Sequence, residues 1–498
     1  MQRPVGSRVS LCMIVRNEEE NLAACLSPVA HLFDEIIVVD TGSTDRTREI
    51  AIEFGAEVYD FPWIDDFSAA RNASLRQASG DWIFWLDADD RVDRENVERL
   101  AELFNSLRDE NKAYNVTCIL EPQHEADAKQ MVTHTRLFRR HPEIIWRRRI
   151  HEEILSGIVQ LGHQIIWSDV EVGHVGYQDP ITRQRKIHRD RNLLRLDYAL
   201  NPNDPVTLFY LGQSHVVSNE FSVALGYLLR CHKYAKYRSP MVRKMYALAT
   251  TAMSQLWRKE EALALTAEGL ENFPDDPELL FTRASLLGEI GDLGGAERCL
   301  LRLIRAPKSD RYFQFGVDAG LADRKSWFHL GLIYCDQGRF LDSERAFQEL
   351  LSKMPADSQA WVGLGQVYIA TRRWQDLEHV AKQLRKCPGG DVLGDTLTAE
   401  GFSSRGIYDE ARHFVERAIE KAPRMVWPRI VLAELLMRRG DRGEECIQAW
   451  QEVLMLCPGH AFARRQLSLL QDATQRSPLE ATTLWSSVTV APGNGFAA

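Results

Sequence analysis

Two patterns of hydrophobic positions divide the chain near residue 200. Before that point, short apolar runs alternate with amphipathic stretches. The runs expected to be strands are SLCMIV, EIIVVD, AEVYDF and WIFWLD, and stretches 18–27, 44–54, 68–78 and 94–107 have helical spacing. Strand–helix alternation predicts an α/β domain with a Rossmann-like, mostly parallel sheet and helices on both faces.

A helical repeat replaces the strands after residue 200. Its clearest unit, WFHLGLIYCDQGRFLDSERAFQELLSKMP at 327–355, fits the pattern W-x2-L-G-x2-Y, with Ser343 where an alanine is usual. The pattern returns 34 residues later at Trp361, and the prolines that end successive units lie 33 to 35 residues apart. This periodicity predicts an all-α tetratricopeptide-repeat solenoid.

These patterns give the expected domain organisation. Residues 1–200 form the α/β domain, with a basic linking helix at about 180–200. Residues 201–475 hold about seven repeat units, with an irregular insertion near 308–325. Residues 476–498 lack helical periodicity and are expected to form a flexible tail.

Composition narrows the class of protein. At 498 residues the chain is too long for one core, and its mean hydropathy of −0.30 is that of a soluble protein. We expect no integral membrane segment, because no apolar run reaches about 18 residues. The start of the chain reads as a strand rather than a signal peptide. The nine cysteines form no C-x-x-C pair, which favours a reducing, cytoplasmic location.

The charge balance argues against a nucleic-acid partner. The net charge is −9, and residues 1–200 carry all of the acidic excess, with 25 basic and 34 acidic side chains. The remainder balances at 36 of each sign, so no broad basic surface is expected.

The stretch WIFWLDADDRV ends a strand in three closely spaced carboxylates, Asp87, Asp89 and Asp90. Like charges this close repel one another unless a positive charge lies among them. One explanation is a solvated turn. The other is a divalent metal at the carboxyl end of a parallel strand, where open α/β sheets bind ligands.

Five motifs in order carry a family resemblance. They are CMIVRNEEENLAACL, EIIVVDTGSTDRT, DFSAARNASLRQASGDWIFWLDADD, the segment from RLFRR to IHEEI, and VGHVGY. Together they resemble the family 2 glycosyltransferases of the GT-A fold. A fusion of such a domain to tetratricopeptide repeats is similar to the sublancin-type peptide glycosyltransferases.

The resemblance implies a metal site. In the D-x-D motif, Asp87 would face the donor ribose and contribute to the metal site, and Asp89 would bind the metal. Asp90 is a weaker candidate, because many relatives have glutamate there. His174 would be a further metal ligand through a neutral imidazole; the alternative is a histidine hydrogen-bonded within its loop.

The resemblance also implies a nucleotide site. Asp40 would accept a hydrogen bond from uracil, with Val15 and Asn17 framing the base. The alternative for Asp40 is a cap for the helix that starts near Ser43. Arg71 would contact the nucleotide or diphosphate.

The alternative role for Arg71 is an ion pair with Asp65 or Asp66.

A second basic feature is the group of six arginines between 136 and 149, which would either hold an anionic group or form a solvated face.

A general base is expected in IHEEI. If this stretch is extended, Glu152 and Glu153 face opposite ways, and the family's His-Glu pairing favours Glu152. A surface position is the alternative for Glu152, and His151 is the next candidate.

The implied activity is an inverting transfer of a sugar from a nucleotide sugar, expected to be UDP-linked, with Mn²⁺ or Mg²⁺ as cofactor. The repeats would bind a protein or peptide acceptor or hold a homodimer together. Two alternatives stay open: a cell-surface glycan or lipid acceptor, and a repeat scaffold with an inactive transferase domain.

Overall fold

A computed structural model describes residues 7–108, 111–120, 130–176, 180–235, 239–306, 317–318 and 320–475. The chain divides into two compact units, Met1–Ala322 and Asp323–Ala498. The expected tail, 476–498, lies outside the described residues. No helix in the described ranges is long and apolar enough to span a bilayer.

The first unit contains a nine-stranded mixed sheet in the order β3-β2-β1-β4-β7-β6-β8-β5, with β9 paired to β7. Pairing is parallel from β3 to β4 and between β6 and β8, and antiparallel elsewhere. The strands are β1 (Val9–Val15), β2 (Glu35–Asp40), β3 (Glu57–Asp60), β4 (Trp82–Trp85), β5 (Asp90–Arg91), β6 (Lys112–Leu120), β7 (Gln130–Arg139), β8 (Gln164–His174) and β9 (Val317–Asp318).

Six helices accompany the sheet before the repeats begin. They are α1 (Leu22–Leu26), α2 (Thr47–Glu53), α3 (Phe67–Gln77), α4 (Arg94–Ser106), α5 (Leu155–Gln160) and α6 (Pro180–Leu200), with a short 3₁₀ helix at Ala30–Leu32. Asp66 caps α3 by accepting a hydrogen bond from the Ala69 N–H, and Asp93 caps α4 in the same way through Asn96.

The central strands are apolar along their length because helices cover both faces of the sheet. Successive residues of β4 enter different cores: Trp82 and Phe84 belong to one hydrophobic cluster, and Ile83 and Trp85 to another. The α/β class is therefore confirmed. The carboxyl ends of β1, β2 and β4 lie at one edge of this sheet, because the three strands are parallel neighbours.

Helix pairs follow within the first unit. They are α7 (Pro205–Val217) with α8 (Phe221–Tyr234), α9 (Pro240–Gln255) with α10 (Lys259–Asn272), and α11 (Pro277–Glu289) with α12 (Leu293–Arg305). The expected insertion near 308–325 falls partly outside the described residues. Its described part includes β9, which pairs antiparallel with β7 through Met131 and Val317.

The second unit continues the helical pairs after a π-helical turn at Leu321–Lys325. Its helices are α13 (Ser326–Asp336), α14 (Phe340–Lys353), α15 (Ser358–Ala370), α16 (Trp374–Leu384), α17 (Gly390–Ser404), α18 (Tyr408–Lys421), α19 (Val426–Arg439), α20 (Glu444–Leu456) and α21 (Ala461–Gln475). A Cβ on Gly331 or Gly363 would collide with the ring of Phe347, so these glycines permit close packing of the helices. The predicted tetratricopeptide architecture is confirmed.

Candidate functional site

The acidic stretch forms a tight turn between β4 and β5. The Asp90 N–H donates to the Asp87 carbonyl (3.1 Å), and the Asp87 N–H donates to Oδ2 of Asp90 (2.8 Å). The Cys25 thiol also donates to the Asp87 carbonyl (3.3 Å). These bonds fix the backbone of the turn and leave the Asp89 side chain outside it.

Asp90 is the buried anchor of this turn. Its side chain is 0% exposed and pairs with Arg136 of β7, whose side chain is 2% exposed. Arg136 also stacks on Trp85, with 4.2 Å from Cζ to the ring centroid. Although burial alone would raise the pKa of Asp90, the Arg136 guanidinium holds it well below its usual range. Asp90 is therefore an ionised structural residue.

His174 reaches the turn through strand pairing. Asp90 and His174 are opposed in the antiparallel pair of β5 and β8, and Nδ1 of His174 lies 3.1 Å from Oδ1 of Asp90. Nδ1 also lies 3.5 Å from Oδ1 of Asp89. Burial alone would lower the pKa of His174, but the hydrogen bond with Asp90 and the charge of Asp89 raise it.

Four potential ligands meet here. Asp87, Asp89, Asp90 and His174 each offer one ligand atom, and these atoms lie within 4.8 Å of one another. Burial raises the pKa of Asp89, so its charged form needs nearby positive charge. Carboxylate oxygens with one imidazole nitrogen suit a hard divalent cation. The donor set fits such an ion, with Asp90 already committed to Arg136.

Lys186 of α6 is a further residue near this cluster, which the sequence analysis did not identify. Burial lowers the pKa of its ammonium group, and Asp89 exerts the strongest opposing effect. The basic character of the helix at 180–200 was visible in the sequence. Nothing in the helix's spacing indicated which of its basic residues turns toward Asp89.

Arg71 links two of the candidate residues. Its Nη2 donates to Oδ1 of Asp87 (2.8 Å), and its Nε donates to Oε1 of Glu152 (2.6 Å). Its guanidinium lies over the rings of Trp85 and Trp146, which limit its movement. The alternative ion pair with Asp65 or Asp66 is therefore wrong. Glu152 lies beside the acidic cluster rather than on the open surface.

The side chains of the two glutamates in IHEEI point in different directions, but strand alternation is not the cause. His151 has a φ of 51°, so the stretch is not extended as assumed. Glu152 points to Arg71, whereas Glu153 accepts from the N–H (2.9 Å) and hydroxyl (2.7 Å) of Ser156 in the first turn of α5. Distinct contacts, rather than regular alternation, direct the two side chains.

His151 packs away from solvent on Tyr210 of α7. Their ring centroids are 3.6 Å apart and the rings are parallel within 3°. Burial lowers the pKa of His151 to about 4, so the imidazole is neutral at pH 7.

The candidate nucleotide residues lie where β1 and β2 end. Asp40 accepts from the Ser43 N–H (3.1 Å) and from Arg48 (3.2 Å). The alternative role as a helix cap is wrong, because α2 begins only at Thr47 and its N-cap residue is Arg46. Asn17, with a φ of 54°, accepts from the Thr44 N–H (2.8 Å). The Val15 carbonyl accepts from Thr41, and its side chain is buried in the core.

Most of the six arginines near 136–149 stabilise the fold. Besides Arg136, Arg140 donates to the Gly80 carbonyl (2.7 Å), Arg148 pairs with Asp204 (2.7 Å), and Arg149 pairs with Asp197 (3.4 Å). They form neither one anion site nor a wholly solvated face.

The chain thus combines an α/β domain, in which acids that follow β4 meet His174 at the end of β8, with helical repeats. Residues 10–158 match the family Glycosyl transferase family 2, and residues 318–379 match Tetratricopeptide repeat. The N-terminal domain of the chain belongs to family 2 of the glycosyltransferases and is joined to tetratricopeptide repeats.

Similar proteins share this domain. A TPR repeat-containing protein of Synechococcus elongatus is 37% identical over 229 residues, covering 45% of this chain and 56% of the relative. The SPbeta prophage-derived glycosyltransferase SunS of Bacillus subtilis is 30% identical over 230 residues, covering 45% and 53%. The matched region thus spans little more than half of each relative.

A solved tetratricopeptide repeat protein from Parabacteroides merdae aligns with 54% of this chain and 98% of its own. Its TM-score is 0.45 and its identity 14%.

Replacing Asp90 with alanine should destabilise the first unit by about 3–5 kcal/mol, because Arg136 would be left buried without its counter-charge. Asp89→Ala is the matched control at the position next to Asp90 but outside the buried ion pair, and it should change stability by less than about 1 kcal/mol. Urea unfolding followed by tryptophan fluorescence measures both. Equal loss in the two variants would contradict the structural role of Asp90.

His151 should make the fold sensitive to acid. Its pKa is about 4 when folded and about 6.5 when unfolded, so its contribution to stability is complete above pH 6.5. That contribution should fall by about 1.4 kcal/mol per pH unit between pH 6.5 and 4. His151→Phe, which preserves stacking on Tyr210, should flatten the stability–pH curve in that window. An unchanged slope in urea titrations across this range would show that His151 protonates freely in the folded state.

Proposed function

We propose that the chain is an inverting, metal-dependent glycosyltransferase that moves a sugar from a UDP-sugar to a protein or peptide acceptor recruited by the repeats. The observation that carries the proposal is the meeting of Asp87, Asp89 and His174 at the end of β4, beside the Arg71–Glu152 pair. The relation to SunS, which is named a glycosyltransferase, supports the same activity.

Asp89 and His174 would hold the divalent cation, with Asp87 contributing its oxygen that does not face Arg71. When bound, Mn²⁺ or Mg²⁺ neutralises the charge that develops on the diphosphate leaving group. Asp90 orients His174 through Nδ1 and takes no direct part. Lys186 would place its amino group on the Asp89 side of the site.

The nucleotide would bind at the ends of β1 and β2. Asp40 would accept from the uracil N–H, and Asn17 and the backbone of Val15 would bound the base. The hydrogen bonds from Ser43 and Arg48 would hold the Asp40 carboxylate in place for this contact. Arg71 would donate to the donor diphosphate from its position between Trp85 and Trp146.

Glu152 would act as the general base. Its Oε1 accepts from Arg71, which leaves Oε2 to take the proton of the acceptor hydroxyl, thiol or amide. As the acceptor atom bonds to the anomeric carbon from the opposite face, the bond from that carbon to the diphosphate breaks. UDP leaves with the electron pair, so the configuration at the sugar inverts.

UDP should bind in the presence of Mn²⁺ and bind more weakly with chelator. Asp89→Asn should lose most of the metal-dependent gain and lower the transfer rate by about 10²–10³, because one charged partner of the developing phosphate charge is removed. Asp40→Ala should weaken UDP binding without abolishing the response to metal. Isothermal titration calorimetry distinguishes these variants, and tighter binding of GDP than UDP would contradict the assigned donor.

Glu152→Gln should lower the single-turnover rate by about 10²–10⁴ while leaving donor affinity nearly unchanged. Glutamine retains an oxygen that can accept from Arg71 but cannot take a proton at neutral pH. The reduction should be smaller for a cysteine acceptor, since part of its thiol is already ionised.

Glu153→Gln is the adjacent control, because the Glu153 carboxylate is bonded to Ser156 at the start of α5 rather than to Arg71, and this variant should remain active. If Glu153→Gln were inactive and Glu152→Gln active, the general base would be Glu153 and not Glu152.

A further inference from the structure

An open cleft lies beside the candidate site, between the loop that precedes α3 and the side of α6. Its volume is about 880 Å³, and its lining includes Asp65, Arg185, His188, Arg189, Asn192 and Leu196. All of these residues belong to the first unit and to described parts of the chain.

Two helices lead from this cleft to the acidic cluster. The Arg189 guanidinium lies over the Phe67 ring, 5.0 Å from its centroid, at the first residue of α3. One turn further along α3, Arg71 contacts Asp87. On α6, Lys186 lies one turn before Arg189 and near Asp89. The cleft therefore opens about one helical turn from the cluster.

The cleft combines positive charge with apolar surface. Arg185 is exposed and has no ion-pair partner within the described part of the chain. Arg189 forms an ion pair with its neighbour Asp190 (2.7 Å), and its side chain is 45% exposed. Leu196 is 46% exposed on the same helix. The single acid of the lining, Asp65, accepts a hydrogen bond from Nε1 of Trp63 (2.8 Å).

We infer that this cleft binds the acceptor polypeptide in an extended form, with a carboxylate of that polypeptide held by Arg185 and Arg189. The inference rests on the proposed transfer activity and adds the acceptor's chemistry: an Asp or Glu close to the modified residue, followed by an apolar side chain against Leu196. At about 3.3 Å per extended residue, one helical turn of about 5.4 Å corresponds to an acid about two residues from the modified position.

Selection from a peptide library tests this inference. Full-length protein with UDP and Mn²⁺ is mixed with a synthetic library whose central residue is Ser, Thr, Cys or Asn and whose flanks are random. Bound peptides are then sequenced by mass spectrometry. Asp and Glu should be enriched at one or two flanking positions, by about two- to fivefold for each arginine contact, as for partly exposed ion pairs.

Arg185→Glu should weaken this enrichment, and the double change with Arg189→Glu should reverse it toward Lys and Arg. Arg195→Glu, an exposed arginine of α6 outside the cleft, should leave it unchanged. All three variants should bind UDP as the wild type does. UDP binding and peptide selection are measured separately. If the wild-type protein did not bind UDP, the proposed transfer activity would be wrong, whatever the peptide selection shows.

Several results would overturn the inference. They are no charge preference in the wild type, the same preference in Arg185→Glu, or no bound peptide. A fourth is an anionic polysaccharide that displaces the selected peptides and binds through the same arginines, which would make the occupant an acidic glycan.

Discussion

The buried ion pair of Asp90 and Arg136 is the constraint on which the site depends. One carboxylate receives a guanidinium, the Asp87 backbone N–H and the His174 ring, so three segments of chain converge on it. A buried charge without a partner is costly, and breaking this pair would leave Arg136 unpaired among apolar groups. The pair therefore fixes the turn in a geometry that the repulsion among its acids would otherwise oppose.

This anchor separates the roles of three adjacent acids. Asp90 forms the buried structural ion pair, and Asp87 contacts Arg71. Asp89 lies near His174 and Lys186. The guanidinium groups of Arg71 and Arg136 both lie over the Trp85 ring, each within 4.6 Å of its centroid. The indole therefore contacts both the structural cation and the cation of the candidate site, which pair with different acids of the same turn.

The sequence patterns predicted the secondary-structure elements more accurately than they predicted the contacts between side chains. EIIVVD coincides with β2, because a short apolar run bounded by polar residues is typical of a buried strand. The stretch 18–27 yields a helix only at Leu22–Leu26, because the turn through Asn17 at φ 54° occupies its start. Asp87 and Asp89 could be located from the end of their strand. Pairing of Arg136 with Asp90 and of Arg71 with Glu152 depends on tertiary packing, which no local spacing encodes.

The position of the His174 side chain is determined by the register of its strand and not by the local pattern of side chains. A slip of one residue between β5 and β8 would put Gly173 or Val175 opposite Asp90 and turn the imidazole to the other face of the sheet. β8 is also paired in parallel to β6 up to Leu120 and His174, so a slip would break a second ladder. Because two neighbours hold the strand, the one imidazole of the cluster is positioned by backbone hydrogen bonds. Strand register therefore sets the position of His174, and the contact of Nδ1 with Asp90 orients its ring.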